Sequence, residues 1–197
     1  YEDHNQNLWI GCYHRGMVMV SKESTPFHFW SVPTREYPQA GVITALYKDD
    51  DGHIVSGVEG EGVFKITSEG NITDHLFSGK TVSSIYKDYS GNLWFGGYYS
   101  GLYMQDAKGN VLFMLPEIKL KDIKKITGDD KGNLYLSLFG SGFIRYHLPT
   151  QTVTEYQSSS GGLRNNWIYT LLLDSRERLW IGHCNGCLLY TSPSPRD

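Results

Sequence analysis

One nine-residue phrase governs what this chain can fold into: Asp88-x-x-Gly91-Asn92-Leu93-Trp94-Phe95-Gly96. It lies within residues 82–115, where each short apolar run is rich in β-branched or aromatic residues and is bounded by Gly, Asp or Asn. That pattern marks strands joined by tight turns. Strands are predicted at 82–87, 92–96, 101–105 and 110–115. Two of the turns, 88–91 and 106–109, each begin with Asp and end with Gly, the residue order that tight turns favour. Four strands, each one hairpin from the next, form a β-meander.

The phrase recurs in phase. Its aromatic position is filled by Trp9, Val55, Trp94, Tyr135 and Trp180, at spacings of 46, 39, 41 and 45. A second glycine follows five residues after the small residue that ends the motif, at Gly16, Gly62, Gly101 and Gly142. A period near 40–45 with four strands per repeat is that of a propeller blade. No repeat carries the 3.6-residue apolar stripe of a helical array. The predicted fold is therefore all-β: a β-propeller fragment of about four four-stranded blades plus partial ones, over residues 1–186. Blades begin near 42, 82, 123 and 167, and the first and last are incomplete. In the second strand Leu93 and Phe95 face one side, Trp94 and Gly96 the other. Both sets are apolar or tiny, as a strand buried on both faces requires. The aromatic positions are thus assigned to blade-to-blade packing.

The two ends read differently. Tyr1 falls inside a repeat, so the chain reads as a fragment and its lack of a targeting sequence carries no information. At the other end the repeat places Gly at 187, where Cys187 stands. Residues 187–197 resemble the translation of a sequencing adaptor and are expected to be a non-native tail.

Composition excludes several classes. The net charge of −3 lacks the basic footprint of a nucleic-acid binder, and no nucleic-acid contact is expected of this segment. The basic stretch from Lys119 to Lys125 reads as a solvated connection between blades. No run of 18 apolar residues occurs, so no membrane contact by this segment is expected. Cys184 and Cys187 have CxxC spacing without the further converging ligands that a metal site needs. Cys12 and Cys184 occupy similar positions in different repeats, which argues against a disulfide. The seven histidines form no ligand-spaced pair. No cofactor, metal site or catalytic residue is predicted.

Binding residues are sought from topology. In a propeller the turns between second and third strands emerge on one face together with the connections between blades, opposite the Asp-x-x-Gly turns. The turns hold Tyr13, His14, Arg15, Glu59, Glu61, Tyr98, Tyr99 and Phe139. The connections add Arg35, Glu36, Tyr37, Arg164, Asn165, Asn166 and Trp167. Aromatic rings suit the C–H faces of sugars, and Arg, Asn and Glu suit hydroxyls. The ligand-binding set drawn from these is Tyr13, His14, Arg35, Tyr37, Glu59, Tyr98, Tyr99, Phe139, Arg164, Asn165 and Trp167.

The Asp88–Gly96 phrase with Gly101-Leu102-Tyr103, and the run from Gly162 to Ile168 leading to Leu179-Trp180-Ile181-Gly182, resemble the two-component-regulator propeller repeat. The second copy departs from it at His53-Ile54-Val55, the fourth at Tyr135 and Ser137, and the fifth at Arg176-Glu177-Arg178. The resemblance implies an open arc of a larger, seven-bladed propeller in the periplasmic sensor region of a hybrid histidine kinase. It implies a small glycan or oligosaccharide ligand, no catalysis by this fragment, and a sensor kinase, with homodimer formation a further expectation, as the parent. Two other readings stay open: a secreted or surface propeller that binds glycan or protein without signalling, and a propeller enzyme of the lyase or hydrolase type.

Overall fold

The computed structural model describes residues 1–12, 16–21, 28–30, 32, 41–115, 118, 121–160, 162–184 and 186–190. The chain divides into two compact units, Tyr1–Ser83 and Ser84–Asp197. Among the described residues all regular structure is strand, apart from the 3-10 turn at Ser158–Ser160 and the 3-10 residue Ile118.

In the first unit, β1 (Leu8–Cys12), β2 (Gly16–Val20) and β3 (His28–Trp30) form a three-stranded sheet in sequence order. Glu2 bridges to Leu8 ahead of it. The next sheet comprises β4 (Ile43–Lys48), β5 (Ile54–Val58), β6 (Gly62–Ile66) and β7 (Ile72–Leu76), again in sequence order. Trp9 and Met17 pack with Ile54, Val58, Phe64 and Ile66, so the core of this unit lies between its two sheets.

β8 (Thr81–Lys87) begins at the junction of the units and is followed by β9 (Leu93–Tyr98), β10 (Gly101–Gln105) and β11 (Val111–Met114). The second unit then holds β12 (Ile123–Gly128), β13 (Asn133–Leu138), β14 (Gly142–His147) and β15 (Thr152–Tyr156). Its last sheet is β16 (Ile168–Leu173), β17 (Leu179–His183) and β18 (Gly186–Tyr190). Each is an antiparallel meander. Trp94 packs on Ile123, Ile126, Leu134 and Leu136 of the following sheet. Tyr135 likewise packs with Ile168, Leu171, Leu179 and Ile181. Trp9, Trp94 and Tyr135, each on the second strand of its repeat or its equivalent, thus fill the space against the following sheet.

The Asp-x-x-Gly-Asn-x-Trp phrase is held together by its own carboxylate. Asp88 accepts from the backbone N–H groups of Ser90 and Asn92, each at 2.9 Å, and from Asn92 Nδ2 at 2.9 Å. Trp94 Nε1 donates to the same carboxylate at 2.8 Å. Asp3 repeats the set with Asn5, Asn7 and Trp9. Asp174 repeats it with Arg176, Arg178 and Trp180, the Arg178 guanidinium replacing the Asn amide at 2.8 Å. Asp129 binds Lys131 and Asn133 in the same way, and the hydroxyl of Tyr135 takes the place of the indole. Burial and the nearby Asp129 push the Tyr135 phenol up to about 12.

Two further features come from sterics. A Cβ on Gly96 would lie 2.6 Å from Ile123 Cγ2, and one on Gly57 would lie 2.4 Å from the Val82 carbonyl oxygen. The small residue ending the motif is therefore where the next blade comes closest. The turn glycine is needed for its positive φ: Gly91 has φ +87°. The fifth copy lacks it, and Glu177 adopts φ +58° in its place. The same copy also shortens its second turn. β18 opens at Gly186, paired with His183, and runs through Tyr190.

A groove of aromatic rings in the second unit

The first strands of three sheets carry a β-bulge near their start. The register slips between Ile43 and Ala45 in β4, between Ile123 and Lys125 in β12, and between Ile168 and Thr170 in β16. The extra residues are Thr44, Lys124 and Tyr169. A bulge re-aims a side chain away from the regular pleat, and in β12 and β16 it brings those side chains among the rings of the neighbouring turn.

That turn region is a groove of about 470 Å³ lined by Tyr98, Tyr99, Lys121, Asp122, Lys124, Phe139, Ser141 and Trp167. Tyr98 ends β9, Tyr99 follows it on the turn, and their rings cross edge to face with centroids 4.3 Å apart. Phe139 follows β13 and meets Trp167 at 4.6 Å and Tyr169 at 5.2 Å, both edge to face. Tyr98, Tyr99 and Trp167 are about half exposed, so their rings are open to solvent on one side. Tyr99 also holds a positive φ of +45°, a conformation uncommon for a bulky residue.

Charge enters from the connection to β12. Asp122 is buried, with only 8% of its side chain exposed, and its Oδ2 pairs with Lys124 Nζ at 2.9 Å. Its Oδ1 is buried without a hydrogen-bond partner. The Lys124 ammonium stands 5.0 Å from the Phe139 ring centre and 5.9 Å from that of Tyr98, within cation–π range. Lys121 Nζ donates to Ser141 Oγ at 3.1 Å. The adjacent Tyr99 raises the Tyr98 phenol above its ordinary value, so the Tyr98 hydroxyl remains a neutral donor near neutrality.

Four of the predicted binding residues, Tyr98, Tyr99, Phe139 and Trp167, share this groove. Arg164 and Asn165 precede β16 and are not in its lining. The Asn165 amide is already engaged: Oδ1 accepts from Trp167 N at 2.8 Å, and Nδ2 donates to Cys184 Sγ, on the turn after β17, at 3.1 Å. Asn165 therefore positions Trp167. Glu59 lies in the first unit, on the turn after β5, where its N–H donates to the Val42 carbonyl at 2.9 Å. Tyr13, His14, Arg15, Arg35, Glu36 and Tyr37 lie outside the described residues. Lys121, Asp122 and Lys124 belong to the stretch that reads as a solvated connection. The short run from Asp122 to Ile126, with charge at 122 and 124 flanking the first apolar residue of a strand, is the signal that could have pointed to a rim position.

Elsewhere, Asp49, Asp51 and His53 come within 4.8 Å of one another. Lys65 Nζ sits 2.7 Å from Asp49 and supplies its countercharge. Burial raises the Asp49 carboxyl, but the Lys65 hydrogen bond and charge outweigh it and hold it below the usual range.

Residues 76–99 and 162–185 match the family described as the two component regulator propeller. These two segments are similar to two-component regulator propeller repeats. Each matched repeat ends at the turn between second and third strands, and the two contain Tyr98, Tyr99 and Trp167 of the groove. Histidine kinase P4 of Formosa agariphila is 27% identical over 169 residues, covering 74% of this chain. The chain spans 12% of the length of that kinase. Among solved structures, the extracellular domain assigned to a hybrid two-component system of B. thetaiotaomicron matches with a TM-score of 0.67 and 19% identity. That match covers 97% of this chain and 33% of the other. Virginiamycin B lyase of Staphylococcus aureus matches with a TM-score of 0.74 and 14% identity, over 99% of this chain and 69% of the enzyme. At these identities the structural likeness establishes the β-propeller fold. The regulator repeats make the chain similar to sensor propellers of two-component systems.

Proposed function

We propose that this propeller segment lies outside the cytoplasm, in the periplasm, and binds an oligosaccharide as the input module of a hybrid sensor histidine kinase. The observation that carries the reading is the groove: half-exposed Tyr99 and Trp167 rings line it together with the hydroxyl and ammonium donors of Ser141, Lys121 and Lys124. Open aromatic faces stack on the apolar faces of sugars, and the polar groups of the lining hydrogen-bond hydroxyls. The rigid blades hold the turns in place, and the turns carry the recognition. The regulator repeats support coupling to a kinase, as does the similarity to a histidine kinase. The likeness to an extracellular domain supports the location.

Calorimetric titration of the chain with a panel of oligosaccharides tests the reading. A Tyr99→Ala/Trp167→Ala double variant should weaken binding about tenfold or more, since buried aromatic anchors dominate such sites. Tyr89→Ala, on an Asp-x-x-Gly turn, should leave affinity unchanged. Equal affinity of the wild type and the double variant, with circular dichroism unchanged, would remove this groove from consideration.

A further inference from the structure

We infer that the groove selects an oligosaccharide bearing a carboxylate or sulfate group, and that Lys124, assisted by Lys121, receives that anion. The inference rests on the glycan-binding reading and narrows it to acidic sugars.

Three observations lead to it. First, two lysines line the groove, Lys124 beside the Tyr98 and Phe139 rings and Lys121 beside Ser141, although the chain as a whole carries a net charge of −3. The groove's positive character is local and does not follow from general basicity. Second, the charges are layered. The Asp122 carboxylate lies beneath the surface at 8% exposure, Lys124 is about one-third exposed, and Lys121 is exposed. A ligand entering the groove therefore meets the cations and not the buried carboxylate. Third, Lys124 is held in place. The bulge in β12 re-aims it, Asp122 Oδ2 takes one of its three donors at 2.9 Å, and the Phe139 and Tyr98 rings flank the ammonium. A preorganised ammonium beside apolar walls binds an anion more strongly than a freely solvated one, because less water and less side-chain freedom is lost on binding. Lys121, tethered to Ser141 at 3.1 Å, lines the same groove and adds a second point of attraction.

The test uses the full chain and three trisaccharides of equal length: a galacturonate, a sulfated galactose and a neutral galactose oligomer. Calorimetry at low and high salt gives the affinities. At least one acidic sugar should bind about tenfold more tightly than the neutral one, and salt should reduce that preference. The acidic sugar that wins distinguishes carboxylate from sulfate recognition. Lys124→Gln should reduce acidic-sugar affinity about tenfold and change neutral-sugar affinity less than about twofold. Lys121→Gln, at an exposed position with little bearing on folding, should act in the same direction and serves if Lys124→Gln fails to fold. Lys108→Gln, on a turn outside the groove, should have no effect. Neutral and acidic sugars binding equally would overturn the inference and leave the glycan reading standing, as would unchanged acidic-sugar affinity in both lysine variants. No binding by any of the three would overturn both.

Discussion

The indole nitrogen of Trp94 donates to the carboxylate of Asp88 at 2.8 Å, closing a loop of six residues between a turn and the buried side of the next strand. The same carboxylate accepts three further bonds from the turn it begins. One side chain thereby sets the turn, fixes the hairpin entry and orients the aromatic that packs on the following blade. The pairs Asp3–Trp9 and Asp174–Trp180 repeat the arrangement, at 3.0 and 2.9 Å. This is why the motif needs Asp and Trp six positions apart.

Trp94→Phe should lower stability by roughly 1–3 kcal/mol, the range for removing one partner of a buried hydrogen bond. The ring is 1% exposed, so the phenyl also leaves unfilled volume. The shift of the urea midpoint measures the effect. A midpoint within error of wild type would show that the indole N–H is dispensable.

Gly96→Ala should destabilise by about 1–3 kcal/mol, as overpacking does, because the new methyl would sit 2.6 Å from Ile123 Cγ2. Ile123→Ala removes that methyl and costs about 2–5 kcal/mol by itself through the cavity it leaves. The double variant should lose less than the sum of the singles by roughly 1 kcal/mol, since each change relieves the other. Strict additivity in a double-mutant cycle would separate the two positions.

Glu177→Gly should stabilise the chain by about 0.5–1 kcal/mol. Glu177 sits at φ +58° where other copies use glycine, and a left-handed residue with a Cβ costs about 1–2 kcal/mol, more than the extra unfolded-state freedom of glycine. The change also breaks a contact between Glu177 and Lys131, a solvent-exposed pair that contributes little. Thermal melting decides it: a fall in Tm would give the ion pair the larger weight.

Acid should destabilise the fold below about pH 4. Hydrogen bonds, led by that from Trp180, hold the Asp174 carboxyl well below its ordinary value. For Asp3 burial acts upward, but the bonds from Trp9, Asn7 and Asn5 prevail and lower it. Between the unfolded and folded values the unfolded chain binds more protons, so this stabilisation is complete above the unfolded value and is lost as pH falls through the folded one. Asp174→Asn should be less stable at pH 7 and show a shallower decline from about pH 5 to pH 2 than wild type. Parallel decline in melts monitored by circular dichroism would count against Asp174 as a contributor.

Much of the blade architecture follows from residues close together in the chain. Asp88, Gly91, Asn92 and Trp94 interact across no more than six positions, and alternation within β9 follows from the strand period alone. Such local chemistry is legible in any copy of the motif, and it also places Tyr98, Tyr99, Phe139 and Trp167 on turns and connections. The tertiary structure decided what depends on distant partners. Lys124 comes to stand near the rings of Tyr98 and Phe139 through a bulge in β12 and the packing of successive sheets, and neither has a local signature in the Lys119–Lys125 stretch. Asn165 is taken up by Cys184, 19 residues away, which no spacing rule anticipates. Glu177 can hold a glycine-like turn because the Asp174 network of backbone, guanidinium and indole bonds holds the turn closed despite the strain. The local code thus determined the blades, and contacts between residues far apart in sequence determined which turn side chains share one groove.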